Sequence, residues 1–212
     1  LIMIFTRNKI QKSFLIVVVG MATACSVIGG VNGLQAEKKQ TQPVVVHAEW
    51  ENPEIFAQNK LPARATFYAY ESKALAEEQQ RDESSYFISL NGAWSFNWVK
   101  KPVDRPAYFY KIDFDHSHWT SIEVPSNWEL QGHGIPHYVN IDYVFPANQP
   151  FIPHDYNPVG SYVKTLEVPK NWQGKRVVLH FGAVNSAMYV WVNGEKVGYS
   201  QGSKLPAEFD IT

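Results

Sequence analysis

The chain has 212 residues, of which 45% are apolar and 18% charged, and its formal net charge is −1. That size allows one domain or two small ones around a packed core. The even charge balance excludes the clustered basic face of a nucleic-acid binder, and the single cysteine, Cys25, excludes an internal disulfide or a thiolate metal cluster. Seven Trp and an aromatic share of 14% point to a β-rich core or to surfaces that stack on flat ligands.

Residues 1–36 read as an export signal and its cleavage region. Arg7, Lys9 and Lys12 form a positive leader ahead of the apolar run 14–25. Cleavage fits after Ala24, where Ala22-Thr23-Ala24 has the small-x-small form, or after Ala36; a third reading makes Cys25 a lipid-anchored residue. The uninterrupted run is shorter than the ~20 residues of a membrane span. Gly29, Gly30, Asn32 and Gly33 then dilute it. The expected location is periplasmic or outer-membrane-associated, with no integral membrane span after processing.

Residues 37–85 read as a linker and an extended N-terminal arm. The arm from Trp50 to Arg64 is polar and broken by Pro53 and Pro62, so it should carry little structure of its own. Ser72 to Arg81 has helical composition but no long apolar stripe, which predicts one or two turns at the surface.

Residues 86–212 switch to short strands. Ile88 and Leu90 alternate into Asn91-Gly92, and Trp94, Phe96 and Trp98 alternate out, which predicts a hairpin. Strands are expected at 122–124, 162–168 and 177–181. A second hairpin should run from Met188 through Asn193-Gly194 to Tyr199. Strands at this spacing without long helices predict an all-β, antiparallel sandwich. The stretch from Ser126 to Gly160, rich in Pro, Asn, His and Tyr, reads as a long functional loop.

Several blocks occur in a telling order. They are Trp50-Glu51-Asn52-Pro53, Leu90-Asn91-Gly92-Ala93-Trp94, Pro125-Ser126-Asn127-Trp128 and Pro136-His137-Tyr138-Val139-Asn140. Asn157-Pro158-Val159-Gly160, Phe181-Gly182-Ala183-Val184-Asn185-Ser186, Trp191-Val192-Asn193-Gly194 and Gly198-Tyr199-Ser200-Gln201 follow. No single block is specific, but the ordered set resembles the N-terminal galactose-binding-like jelly roll of family-two β-galactosidases. The resemblance implies a sandwich that is incomplete at its C-terminal end. It also implies hydrolysis of terminal non-reducing β-D-galactosides with retention, which needs two carboxyl groups about 5–5.5 Å apart. In the family both are Glu residues of a TIM barrel that follows an immunoglobulin-like domain. By resemblance those domains and a β-galactoside are the partners, and this chain holds no catalytic residue. Asn140 matches the family's loop Asn that reaches the galactose subsite, where an amide suits sugar hydroxyls; read without the resemblance, it satisfies loop backbone.

The chain itself should carry no cofactor, and a magnesium ion of the whole enzyme would take its ligands elsewhere. Family members place a sodium-binding Asp after the Gly-Tyr-Ser-Gln block, but Gly202 stands there, so sodium dependence is not expected. A β-glucuronidase or β-mannosidase relative, or a non-catalytic carbohydrate-binding module, are the alternative readings. The G-x-S-x-G pattern at Gly198–Gly202 lacks a following His. Glu129, Asp142, Asp155, Glu208 and Asp210 read as solvated loop or turn carboxylates. His116 and His118 are too few for a metal site. Phe114 and Trp119, with Trp94, Trp98 and Trp191, read as core anchors.

Overall fold

The computed structural model describes residues 2–7, 48–137 and 143–212. Among them lie nine strands and one α-helix. The strands are β1 (Ile2–Arg7), β2 (Ala57–Gln58), β3 (Gly92–Val99), β4 (Thr120–Val124), β5 (Val159–Leu166), β6 (Val178–Phe181), β7 (Ala187–Val192), β8 (Glu195–Gln201) and β9 (Ala207–Asp210); helix α1 spans Lys73–Glu78. Seven strands form one sheet in the order β2-β8-β7-β1-β5-β3-β4, and β6 and β9 form a second.

Period-two alternation decides which side chains lie between the sheets. Trp94 and Phe96 of β3, Ile122 of β4, Tyr162 and Leu166 of β5, and Met188 and Val190 of β7 meet Leu179 of β6 and Phe209 of β9. Each such fully buried side chain contributes about 1.5–3 kcal/mol. On the other face of the large sheet a smaller cluster forms around Phe109 and Val163, with Phe114, Trp119, Tyr189 and Trp191 packed on it. The protein is therefore all-β with its main core between two sheets, as the strand spacing predicted.

The second hairpin forms as expected. Asn193 and Gly194 both have positive φ, +52° and +88°, which matches the right-handed twist of the flanking strands β7 and β8. The first hairpin does not form. Gly92 (φ +97°) opens β3, whose antiparallel partners are β4 and β5, and residues 88–91 are not a strand. Instead the Trp94 indole N–H donates to the Leu90 carbonyl at 2.8 Å, and Ile88 and Leu90 pack on the core edge. The Asn-Gly pair is a turn signal without knowledge of which neighbour the next strand finds.

The arm is extended, as its prolines require, but it is docked. β2 pairs with β8, and the Leu61 N–H donates to the Glu208 carbonyl at 2.9 Å. At Gly198 a Cβ would lie 2.5 Å from both the Gln58 carbonyl oxygen and Phe209 Cε1, so β8 needs a glycine to pass between arm and core. Helix α1 is a surface turn whose N-cap, Ser72, accepts from the Leu75 N–H at 3.3 Å. Residues 2–7, which the sequence reading assigns to the leader, form β1 in the same compact unit as the rest of the domain. The remainder of the expected signal, with Cys25 and the two cleavage sites, lies outside the described residues. Among the described residues no helix is long and apolar enough to cross a membrane.

Candidate functional site

One large cavity, about 740 Å³, opens on the side of the sheet that carries the smaller cluster. That is the size range of small-molecule sites. The long loop supplies one wall: Asn127, Trp128 and Glu129 from its first turn, then 134–137, 144–145 and 156–158. The turn ends at Gly132 in the left-handed region (φ +91°), and Gly160, where the loop returns to β5, leaves no room for a Cβ against Trp128 and Phe96. The sheet supplies the floor through Tyr189 and Trp191 of β7 and Lys196 of β8. The start of the arm, Ala48 to Trp50, closes a third side.

Six aromatic rings line it, those of Trp50, Trp128, Phe145, Tyr156, Tyr189 and Trp191. Trp191 stacks on Tyr110 (centroids 5.3 Å apart, 10° between planes), which fixes its orientation, and Trp50 meets Tyr189 edge-on at 6.4 Å. Among these rings sits an ordered charged group. The Tyr189 hydroxyl donates to Glu49 Oε2 at 2.5 Å, and Lys196 Nζ donates to Glu49 Oε1 at 2.8 Å. Burial alone pushes the Glu49 carboxyl up, but the hydrogen bonds from Lys196 and Tyr189 prevail and hold it below its ordinary value. Burial, together with the carboxylate beside it, raises Tyr189 far above the usual phenol. Glu49 is thus a fixed anion with both oxygens engaged, unsuited to proton transfer. Arg105, Glu129 and His137 add polar groups at the rim. Apolar ring faces with convergent donors and acceptors suit a sugar, whose C–H faces stack while its hydroxyls hydrogen-bond.

Asn140 lies at 138–142, outside the described residues, but both flanks of that segment, 134–137 and 144–145, line the cavity. Gly202 presents no side-chain oxygen, and its φ of +115° is a conformation that an Asp rarely adopts; its N–H donates to the Ser186 carbonyl at 3.0 Å. The sodium site that the resemblance implies does not fit this position. Ser200 of the G-x-S-x-G pattern is buried in β8, without the strand–turn–helix elbow of a hydrolase nucleophile. His116 Nδ1 lies 3.2 Å from Ser95 Oγ, and among the described residues no three His, Cys, Asp or Glu gather as metal ligands.

Three assignments need correction. Glu208 is not solvated: it is buried on β9, with Arg64 Nε and Nη2 at 2.9 and 2.5 Å and His180 Nδ1 at 2.9 Å. β9 turns that side chain toward the docked arm, which a reading of the strand alone does not foresee. Trp191 is half-buried and lines the cavity rather than the main core, and Glu129 is a wall residue of the same cavity. The sequence reading missed Glu49, Trp50, Arg105 and Tyr156 as lining residues. The Trp50-Glu51-Asn52-Pro53 block was the available signal, since with Glu49 just before it an aromatic stands between two carboxylates in an otherwise featureless arm.

Residues 87–212 match the family described as "Glycosyl hydrolases family 2, sugar binding domain". The chain belongs to that family. Relatives named "Beta-galactosidase" include one from Priestia megaterium, 43% identical over 177 residues, and one from Psychromonas ingrahamii, 41% identical over 174 residues. These alignments cover 81% and 82% of this chain but only 17% and 16% of the relatives. A "Beta-galactosidase large subunit" from Leuconostoc lactis is 37% identical over 181 residues, covering 77% of this chain and 28% of its own length. The chain therefore spans between a sixth and a third of the relatives it matches.

Proposed function

We propose that this galactose-binding-like jelly roll forms part of the sugar subsite of an exported β-galactosidase that hydrolyses terminal non-reducing β-D-galactosides with retention. The observation that carries the reading is the aromatic cavity, placed at the flanks of the loop that holds Asn140 in a domain of the family's sugar-binding type. The domain's share is recognition. Its rings exclude water and its amide and charged groups orient hydroxyls, while the acid and nucleophile carboxylates come from the barrel that follows an immunoglobulin-like domain. Asn140 donates to and accepts from a galactose hydroxyl.

In the complete enzyme, Asn140→Ala should remove one sugar hydrogen bond, about 0.5–1.5 kcal/mol, and lower kcat/KM about two- to ten-fold. Thermal stability should stay within about 0.5 kcal/mol, as for a loop substitution outside the core. Steady-state kinetics on a chromogenic β-galactoside decides it: unchanged kcat/KM would return Asn140 to a backbone role.

A further inference from the structure

The arm and the long loop form two walls of the cavity, and they meet at Glu51 and His154, 103 residues apart in sequence. Residues Glu49–Glu51 make a single 3-10 turn, closed where the Glu51 N–H donates to the Ala48 carbonyl at 2.9 Å. Such a turn takes about three residues per revolution, so the Glu49 and Glu51 side chains leave it in different directions. Glu49 reaches the floor, at Tyr189 and Lys196, and Glu51 reaches the loop.

Glu51 is buried, with 6% of its side chain exposed, whereas His154 is 72% exposed. His154 Nε2 lies 2.5 Å from Glu51 Oε1. A carboxylate only accepts, so the imidazole N–H donates. A buried carboxylate loses much without its donors, and an exposed imidazole gives up little solvation to serve as one. His154 stands between Ile152 and Tyr156, both of which line the cavity. From Tyr156 contact passes to the other leg of the loop, because its ring centroid lies 6.0 Å from that of His137. His137 directly precedes 138–142, the segment that holds Asn140. The Asn157 N–H, donating to the Lys100 carbonyl at 3.1 Å, ties the same return leg to the chain just after β3.

We infer that Glu51 and His154 are positioning residues: their hydrogen bond clasps the return leg of the loop to the arm and sets where the loop stands over the cavity. The inference rests on the sugar-subsite reading given above. Neither residue lines the cavity itself, so the pair acts through Tyr156 and His137 rather than on the sugar. Breaking the clasp therefore weakens substrate binding and leaves the bond-breaking step, which belongs to carboxylates elsewhere in the enzyme, unchanged.

His154→Ala removes the donor, and His154→Gln puts an amide N–H in its place. On the full chain, hydrogen–deuterium exchange in 133–137 and 151–157 should accelerate about fivefold or more in His154→Ala, the scale of one hydrogen bond to a charged group. In His154→Gln it should stay within about twofold of wild type, and strands 92–99 and 187–192 should change less than about twofold in both variants. In the complete enzyme, His154→Ala should raise KM for a chromogenic β-galactoside about threefold or more with kcat within about twofold, and His154→Gln should restore KM. Unchanged exchange in the two loop legs would overturn the clasp. So would equal acceleration of the strands, or failure of His154→Gln to rescue. Faster loop exchange with unchanged KM would overturn the positioning role. Asn140→Ala, measured in parallel, separates this from the reading beneath it: if Asn140→Ala lowers kcat/KM while His154→Ala leaves KM unchanged, the clasp alone fails, and if both variants are silent the subsite reading fails with it.

Discussion

Arg64→Met should loosen the arm by leaving a buried carboxylate short of its main partner. Arg64 grips both oxygens of Glu208 at 2.5 and 2.9 Å, and its guanidinium also lies 4.1 Å over the Phe67 ring. A hydrogen bond to a buried charge is worth about 1.5–3 kcal/mol. The Arg64 side chain is 38% exposed, so solvent screening favours the lower end, about 1.5–2 kcal/mol. For a chain of this size that lowers Tm by about 3–8 °C. The effect should depend on pH in a definite direction. Burial alone pushes Glu208 up, but the hydrogen bonds and charges of Arg64 and His180 hold it below its ordinary value. A depressed folded pKa contributes stability that is fully present above the unfolded value, about 4.3, and is lost as pH falls through the folded one. The difference between wild type and Arg64→Met should therefore be full at pH 7 and shrink in acid. Thermal melts followed by circular dichroism, with Glu208→Gln and the double variant completing a cycle, measure the coupling. A variant melting within 1 °C of wild type at pH 7, taking about 1 °C as the limit of a negligible shift, or a difference that grows in acid, would refute the reasoning.

Gly198→Ala should destabilise by about 3 kcal/mol or more, because the new methyl meets a carbonyl oxygen and a core ring that no rotamer relieves. Gly182→Ala, with open space around its Cβ, should stay within about 0.5 kcal/mol, and equal urea midpoints for the two would count against the close approach of β8 to the arm. Tyr189→Phe should cost about 1–2 kcal/mol at pH 7, since Glu49 keeps Lys196 but loses its phenol donor. Because Glu49 is held below its ordinary pKa, that cost should fade below about pH 4, and urea titrations showing a pH-independent cost would exclude this account.

Much of the fold was legible because its signals are local. Asn193-Gly194 needs only its own two positive φ angles to make a turn, and Ser72 needs only the next three residues to cap α1. The alternation of Trp94, Phe96 and Trp98 survives because a strand has two faces whatever its partners are. Asn91-Gly92 misled for the complementary reason. Gly92 does take a positive φ, but it opens β3 directly, and the Leu90 carbonyl finds its partner in the Trp94 indole rather than in a facing strand. The site was legible only in part. Asn127, Trp128 and Glu129 stood in a loop whose length already marked it as functional, whereas Glu49 and Trp50 stood far away in sequence.

The sequence by itself determined the all-β class, the positions of β3 to β8, the second hairpin and, through the ordered blocks, the family. Those properties depend on neighbours in the chain or on the order of short motifs. Tertiary structure alone decided that the arm docks through Arg64 on Glu208, that Trp191 faces a cavity instead of the main core, and that residues 2–7 complete the large sheet. Each of these joins segments far apart in sequence, where the free energy comes from shared burial and from pairing backbone groups that would otherwise be left unsatisfied. No pattern within one segment records which distant partner will supply them.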